Sequence, residues 1–130
     1  MNRGDALVFC EKWLEAWSGN RPEYLIRFYS DDALYVDPAH KEGLRGRERI
    51  LSYFKKLLAA NPNWVWRAID VFPADLGFVL KWEATIPVRR EAITEVGIDI
   101  VDIDEGRITR NEVFFDRLSL LNALRKGKEG

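Results

Sequence analysis

The sequence predicts an α+β fold in which helices cover one face of a curved antiparallel sheet. Three observations predict it. Apolar residues recur at three- and four-residue steps through the N-terminal half, the spacing of helices buried on one side. From Trp64 onward the period changes to two, the mark of strands with distinct faces. The two patterns are segregated along the chain and do not alternate, which favours α+β over a parallel α/β sheet. With 130 residues and no internal repeat, low-complexity tract or linker, residues 1–130 are expected to form a single domain with a real core.

The elements follow in order. Asp5 to Ser18 carries Leu7, Cys10, Trp13, Leu14 and Trp17 as one apolar stripe, with Asp5 as cap and Gly19-Asn20 as stop. A second, short helix runs from Pro22 to Tyr29, with proline near its first position and Leu25, Phe28 and Tyr29 inward. Ala33 to Asp37 is the first strand. A third helix runs from about Arg47 to Ala60, with Ile50, Leu51, Phe54, Leu57 and Leu58 inward, and Asn61-Pro62-Asn63 ends it. Four long strands follow: Trp64 to Phe72, Gly77 to Ile86, Ala92 to Asp104 and Arg107 to Phe115. Asp104-Glu105-Gly106 makes a hairpin turn between the last two. Leu118 to Leu124 closes the chain as a short helix or an added apolar arm.

Composition excludes several function classes. Twenty basic and 21 acidic residues give a net charge of −1, so no field draws nucleic acid or an anionic membrane. A single cysteine, Cys10, excludes an internal disulfide and a multi-cysteine zinc site; it reads as a small core residue. No stretch approaches the roughly 20 apolar residues of a membrane span. Met1 to Asp5 lacks the apolar segment of a signal peptide, so a soluble cytoplasmic protein is expected. Gly43-Leu44-Arg45-Gly46 lacks the remaining glycine of a dinucleotide fingerprint, and a lone histidine, His40, is too few nitrogens for a metal site. No cofactor or metal is expected. Five Trp, four Tyr and seven Phe supply large rings for a core, a subunit interface or an aromatic-lined pocket.

One carboxylate stands out. Asp37 ends the first strand against Pro38, which restricts it to extended backbone and gives its side chain a fixed direction. Alternation puts Tyr35 on the same strand face as Asp37, and Lys81 on the same face as Glu83. Phe78, Leu80, Trp82, Ala84 and Ile86 form the opposite, apolar row of that later strand. If this row faces the interior, Lys81 and Glu83 lie outside. The alternative to a functional Asp37 is a carboxylate that accepts turn amides beside Pro38; for Asp99, in Gly97-Ile98-Asp99-Ile100, it is a pairing with an arginine.

The order of elements, with Phe28-Tyr29-Ser30-Asp31-Asp32-Ala33 ahead of Asp37-Pro38, Gly43 and Gly46 before the third helix, and Asp104-Glu105-Gly106-Arg107-Ile108 before a strand ending Phe114-Phe115-Asp116, resembles the nuclear transport factor 2-like superfamily. The likeness is to its SnoaL-like and ketosteroid isomerase-like members and covers nearly the whole chain. It implies a cone-shaped sheet with three helices on its concave face, a pocket between the two, and commonly a homodimer. Function is open within that family, which uses one scaffold for isomerases, cyclases, hydratases, epoxide hydrolases and plain binding modules.

The resemblance assigns candidate roles. Asp37 matches the family's catalytic base, which takes a proton beside a carbonyl. Asp99 matches a second acid that stays protonated through burial and hydrogen-bonds the forming oxyanion. Trp13 occupies the place of the family's tyrosine, and its indole N–H donates a single hydrogen bond. A likeness to limonene-epoxide hydrolase-like members points to Tyr35 with Asp37, Lys81 with Glu83, and Asp116. The expected function is cofactor-free isomerisation, cyclisation or hydration of a small apolar molecule. Asp37 is the base, Asp99 or Asp116 the partner acid, and Tyr35, Trp13, Trp17, Tyr53, Trp66 and Trp82 are walls, with His40 at the mouth. The alternatives are a non-catalytic ligand-binding or dimerisation module, and epoxide hydrolysis through Tyr35, Glu83 and Asp116. The outer face of the long strands is the expected homodimer interface, since both faces carry apolar residues.

Overall fold

The computed structural model describes residues 1–116. Helix α1 (Arg3–Ala16) leads into a short α2 (Pro22–Leu25) that continues as a 3₁₀ turn, Ile26–Phe28. Strands β1 (Tyr29–Asp37) and β2 (His40–Arg45) precede α3 (Arg47–Ala60). Then come β3 (Val65–Pro73), β4 (Gly77–Val88), β5 (Glu91–Asp104) and β6 (Arg107–Phe114). The proposed Leu118 to Leu124 element lies outside the described residues.

Local chemistry accounts for the boundaries. Asn2, not Asp5, caps α1: its side-chain oxygen accepts the Asp5 N–H at 2.8 Å, which places Asp5 one turn inside, where the helix dipole still favours its charge. Gly19 and Asn20, at φ 81° and 53°, end that region in left-handed backbone. Glu105 and Gly106 both have positive φ, the geometry of the two-residue turn whose twist matches a hairpin, so β5 and β6 are joined directly.

The six strands form one curved sheet in the order β2-β1-β6-β5-β4-β3. The four long strands are antiparallel neighbours, as their spacing predicts. The sheet as a whole is mixed, because β1 pairs with β6 in parallel. Sequence pattern specifies faces and not strand direction across some seventy intervening residues, so this pairing is not written in it. β2 is also new relative to the sequence reading, which leaves residues 38–42 as a loop. Its burial shows no period of two, and only Leu44 is buried, so it carries no strand pattern of its own. It forms because Asp37 and His40 face each other across a tight Pro38-Ala39 turn.

Helix α1 lies across β3 and β4, and α3 across β1 and β2, on the same face of the sheet. Trp13, Cys10, Ala6, Phe54, Phe78 and Leu80 are fully buried where these layers meet. Replacing a ring as enclosed as Trp13 by alanine would cost about 3–5 kcal/mol. Toward the other end of the sheet the layers diverge and leave a cavity. Among the described residues no helix is long and apolar enough to cross a membrane.

Candidate active-site pocket

The cavity has a volume of about 240 Å³. α1 contributes Leu14 and Trp17, α3 contributes Tyr53 and Leu57, and the concave face of the sheet supplies the rest. On β4 it is the row Trp82, Ala84 and Ile86 that faces inward, so the strand-face ambiguity resolves in favour of the apolar row. Trp66 and Trp64 close one side against Trp17, and Phe115 stacks edge-on to Trp82 with ring centroids 5.7 Å apart. Into this largely aromatic space come three carboxyl groups, from Asp37, Glu95 and Asp99.

Asp37 is the hub of one end. Its Oδ1 accepts the backbone N–H groups of Ala39 and His40, both at 2.8 Å, which makes it the side-chain clasp of the β1–β2 turn. Its Oδ2 accepts the hydroxyls of Tyr35 at 2.9 Å and Tyr53 at 2.6 Å. Four donors therefore meet one carboxylate. The turn-clasp role and the pocket role coexist, one on each oxygen. Burial, reinforced by the Asp37 charge, pushes the Tyr35 phenol well above its ordinary range, so it remains a donor.

Asp99 forms the second polar centre. Trp82 Nε1 donates to its Oδ1 at 2.7 Å, and Asn111 Nδ2 donates to its Oδ2 at 3.0 Å. Asn111 is fixed in that orientation because its Oδ1 accepts the Tyr29 hydroxyl at 2.8 Å, while Tyr29 in turn accepts the Trp13 N–H at 3.3 Å. Burial raises the Asp99 carboxyl to about 7; the two donors oppose the shift and the nearby Asp37 charge adds to it. Both protonation states are thus accessible near neutral pH. No arginine pairs with Asp99 among the described residues, contrary to the structural alternative considered for it.

Glu95 is the third. It lies four residues before Asp99 on the same face of β5 and is 8% exposed. Its buried Oε1 has no hydrogen-bond partner among the described residues. Glu95 and Asn111 carry no role in the sequence pattern, and Tyr29 figures there only as an inward residue of the second helix. The signal available for Glu95 is a charged residue at an inward position of an alternating strand.

Several predicted site residues sit elsewhere. Trp13 is fully enclosed behind the wall and reaches Asp99 only through Tyr29 and Asn111. Tyr29, which follows a 3₁₀ turn at the start of β1, is likewise fully buried and lies off the cavity wall. Glu83 lies on the outer face of β4 and receives the Arg67 Nε–H at 3.0 Å across the strands, because the apolar row takes the inward positions. Asp116 is exposed beyond the end of β6 and lies off the cavity wall. The Tyr35–Glu83–Asp116 layout for epoxide hydrolysis is therefore not assembled. His40 begins β2; its ring packs edge-on against Tyr53 at 4.3 Å, and its backbone, not its imidazole, contacts Asp37. Tyr35, Asp37, Asp99, Trp17, Tyr53, Trp66 and Trp82 do share the cavity. Cys10 is enclosed, and burial pushes its thiol up to about 12, which leaves it unreactive at neutral pH.

A family model described as a SnoaL-like domain matches residues 10–111. Among curated proteins nothing matches the chain. Among solved structures, a protein with a ketosteroid isomerase-like fold from Catenulispora acidiphila, crystallised with trimethylamine, shares 20% identity over 88% of this chain and 90% of its own, with a TM-score of 0.77. A candidate isomerase from Bacillus subtilis gives a TM-score of 0.80 at 16% identity, covering 96% of each chain. A candidate SnoaL-like polyketide cyclase from Shewanella putrefaciens gives 0.75 at 15% identity, over 91% of this chain and 84% of that one. At these identities the likeness establishes the fold.

Proposed function

Because this chain belongs to the SnoaL-like domain family, we propose that it is a single-domain, cofactor-free enzyme that moves a proton within a small, mostly apolar molecule, with isomerisation as the representative reaction. The observation that carries this reading is Asp99. It is buried, it faces an aromatic cavity, and burial raises its carboxyl to about 7, the condition under which one group serves as acid and base in turn. Each Asp99 oxygen accepts one hydrogen bond, so each keeps a position open to the cavity. The ionised form takes a C–H proton next to a substrate carbonyl, and the resulting acid returns it to a second carbon; Trp82 and Asn111 hold the carboxyl in place for both steps. Asp37 has four donors and serves better as the anionic anchor of Tyr35 and Tyr53 than as the base.

The test is conjugation of a panel of small β,γ-unsaturated ketones, followed by the ultraviolet absorbance of the enone. Wild-type protein should accelerate it with a rate that rises through about pH 7, and Asp99→Asn should lose about a hundredfold or more. An Asp99→Asn protein as fast as wild type, or no turnover by wild type, overturns the enzymatic reading.

A second reading, a ligand-binding module, is favoured by Asp37 alone, whose lone pairs are all engaged. For either reading the assembly is a homodimer through the outer sheet face. Val96, Ile98 and Phe114 are each more than two-fifths exposed there, and Ile98 and Phe114 are register partners across β5 and β6.

A further inference from the structure

We propose that the cavity selects an organic cation, a tertiary or quaternary ammonium with apolar substituents. This deepens the small-molecule reading above and rests on it. Three carboxyl groups enter the cavity, and among the described residues no Lys, Arg or His lines it. Two of the three are held by donors: Asp37 by four and Asp99 by two. Glu95 is not. It is more than nine-tenths buried, it lines the cavity, and its Oε1 has no partner among the described residues. A buried carboxylate without a counter-charge is costly, and this one lines the cavity.

The remaining walls specify what kind of positive charge would answer it. A small hydrated metal ion needs several oxygen ligands converging on one point, and no cluster of that kind is present among the described residues. Trp17, Trp64 and Trp66 instead form a contiguous group of indoles, with Trp17 and Trp66 centroids 5.8 Å apart and Trp64 and Trp66 5.7 Å apart. Trp82 stands on β4 beside the strand that carries both Glu95 and Asp99. Indole faces attract a diffuse ammonium while their surface accommodates its alkyl groups, which a primary ammonium with its tightly held water would not exploit as well. The site therefore combines unbalanced negative charge with polarizable apolar walls. That combination disfavours carboxylate or phosphate ligands outright.

The experiment compares choline with 3,3-dimethylbutan-1-ol, the neutral molecule of the same shape, by calorimetric titration of the intact protein. Choline should bind about tenfold tighter or better. Glu95→Gln should weaken choline severalfold and leave the neutral alcohol unchanged; since Glu95 Oε1 has no partner among the described residues, the variant keeps the volume without breaking a bond there. Equal or tighter binding of the neutral alcohol, or no binding of choline at millimolar concentration, overturns the proposal. Those results leave the Asp99 chemistry standing, because that is read by ketone conjugation; loss of turnover dependence on Asp99 with choline preference intact removes the chemistry and not the cation.

Discussion

Trp82 crosses the cavity wall directly over Gly97, its register partner on β5. A Cβ on Gly97 would lie 2.2 Å from the Trp82 ring, so the indole rests where any other residue would put a side chain. From that position its N–H reaches Asp99, two residues along, at 2.7 Å. The glycine is what aims the tryptophan.

Gly97→Ala should therefore lift the indole and break its bond to Asp99. The expected cost is about 1–3 kcal/mol, as for overpacking of a close contact. Denaturant unfolding measures it, and tryptophan fluorescence should shift in the folded state. A variant with wild-type stability and spectrum would show that the ring has room to move.

Asp99 also predicts how stability depends on pH. Its folded value of about 7 lies above the ordinary 3.8, so the native state holds a proton that the unfolded chain releases. Stability from this group is fully present below about pH 4 and is lost as pH rises to about 7, a few kcal/mol in all. Among the described residues, Cys10 on α1, Tyr29 and Asp37 on β1, and Trp82 and Asn111 on the flanking strands interact with it. Asp99→Asn should flatten the unfolding free energy between pH 4 and 7 relative to wild type. Parallel profiles for the two proteins would contradict the shift.

Removing the Asp37 carboxylate takes away the acceptor of the Tyr35 hydroxyl and of two turn amides, and one bond made by Tyr53. Asp37→Ala should cost about 3 kcal/mol or more by urea unfolding, whereas Asp37→Asn, which retains an oxygen for the turn, should cost less. Equal losses would mean that the turn contributes nothing.

Ile98→Lys should turn a dimer into a monomer by light scattering, since it places a charge among Val96, Phe114 and its neighbours on the outer face. Wild-type protein that is monomeric at micromolar concentration would refute the interface itself.

The long strands and helices were legible because each carries one period over many residues. Boundaries fell within a few residues wherever a glycine, proline or asparagine marked them. β2 was not legible, since a six-residue edge strand with one buried side chain has no pattern to read. Tyr35 beside Asp37 followed from alternation alone. The Tyr29–Asn111–Asp99 connection could not, because its members lie 82 and 12 residues apart and meet only through the parallel pairing of β1 with β6 and the hairpin of β5 with β6. Glu95 was readable in principle, but a glutamate in a strand ordinarily points to solvent.

The chain of hydrogen bonds from Trp13 to Asp99 runs in one direction only. Trp13 gives to Tyr29, Tyr29 gives to Asn111, and Asn111 gives to Asp99. An amide does not pass a proton along as a water or a hydroxyl would, and the other partner of Asp99, an indole, cannot accept one. Asp99 thus cannot pass a proton on through its hydrogen-bonded partners, and a proton it takes from a bound molecule can return to that molecule. The reaction would carry isotopic memory: a substrate deuterated at the donor carbon should keep much of its label at the new position, even in light water.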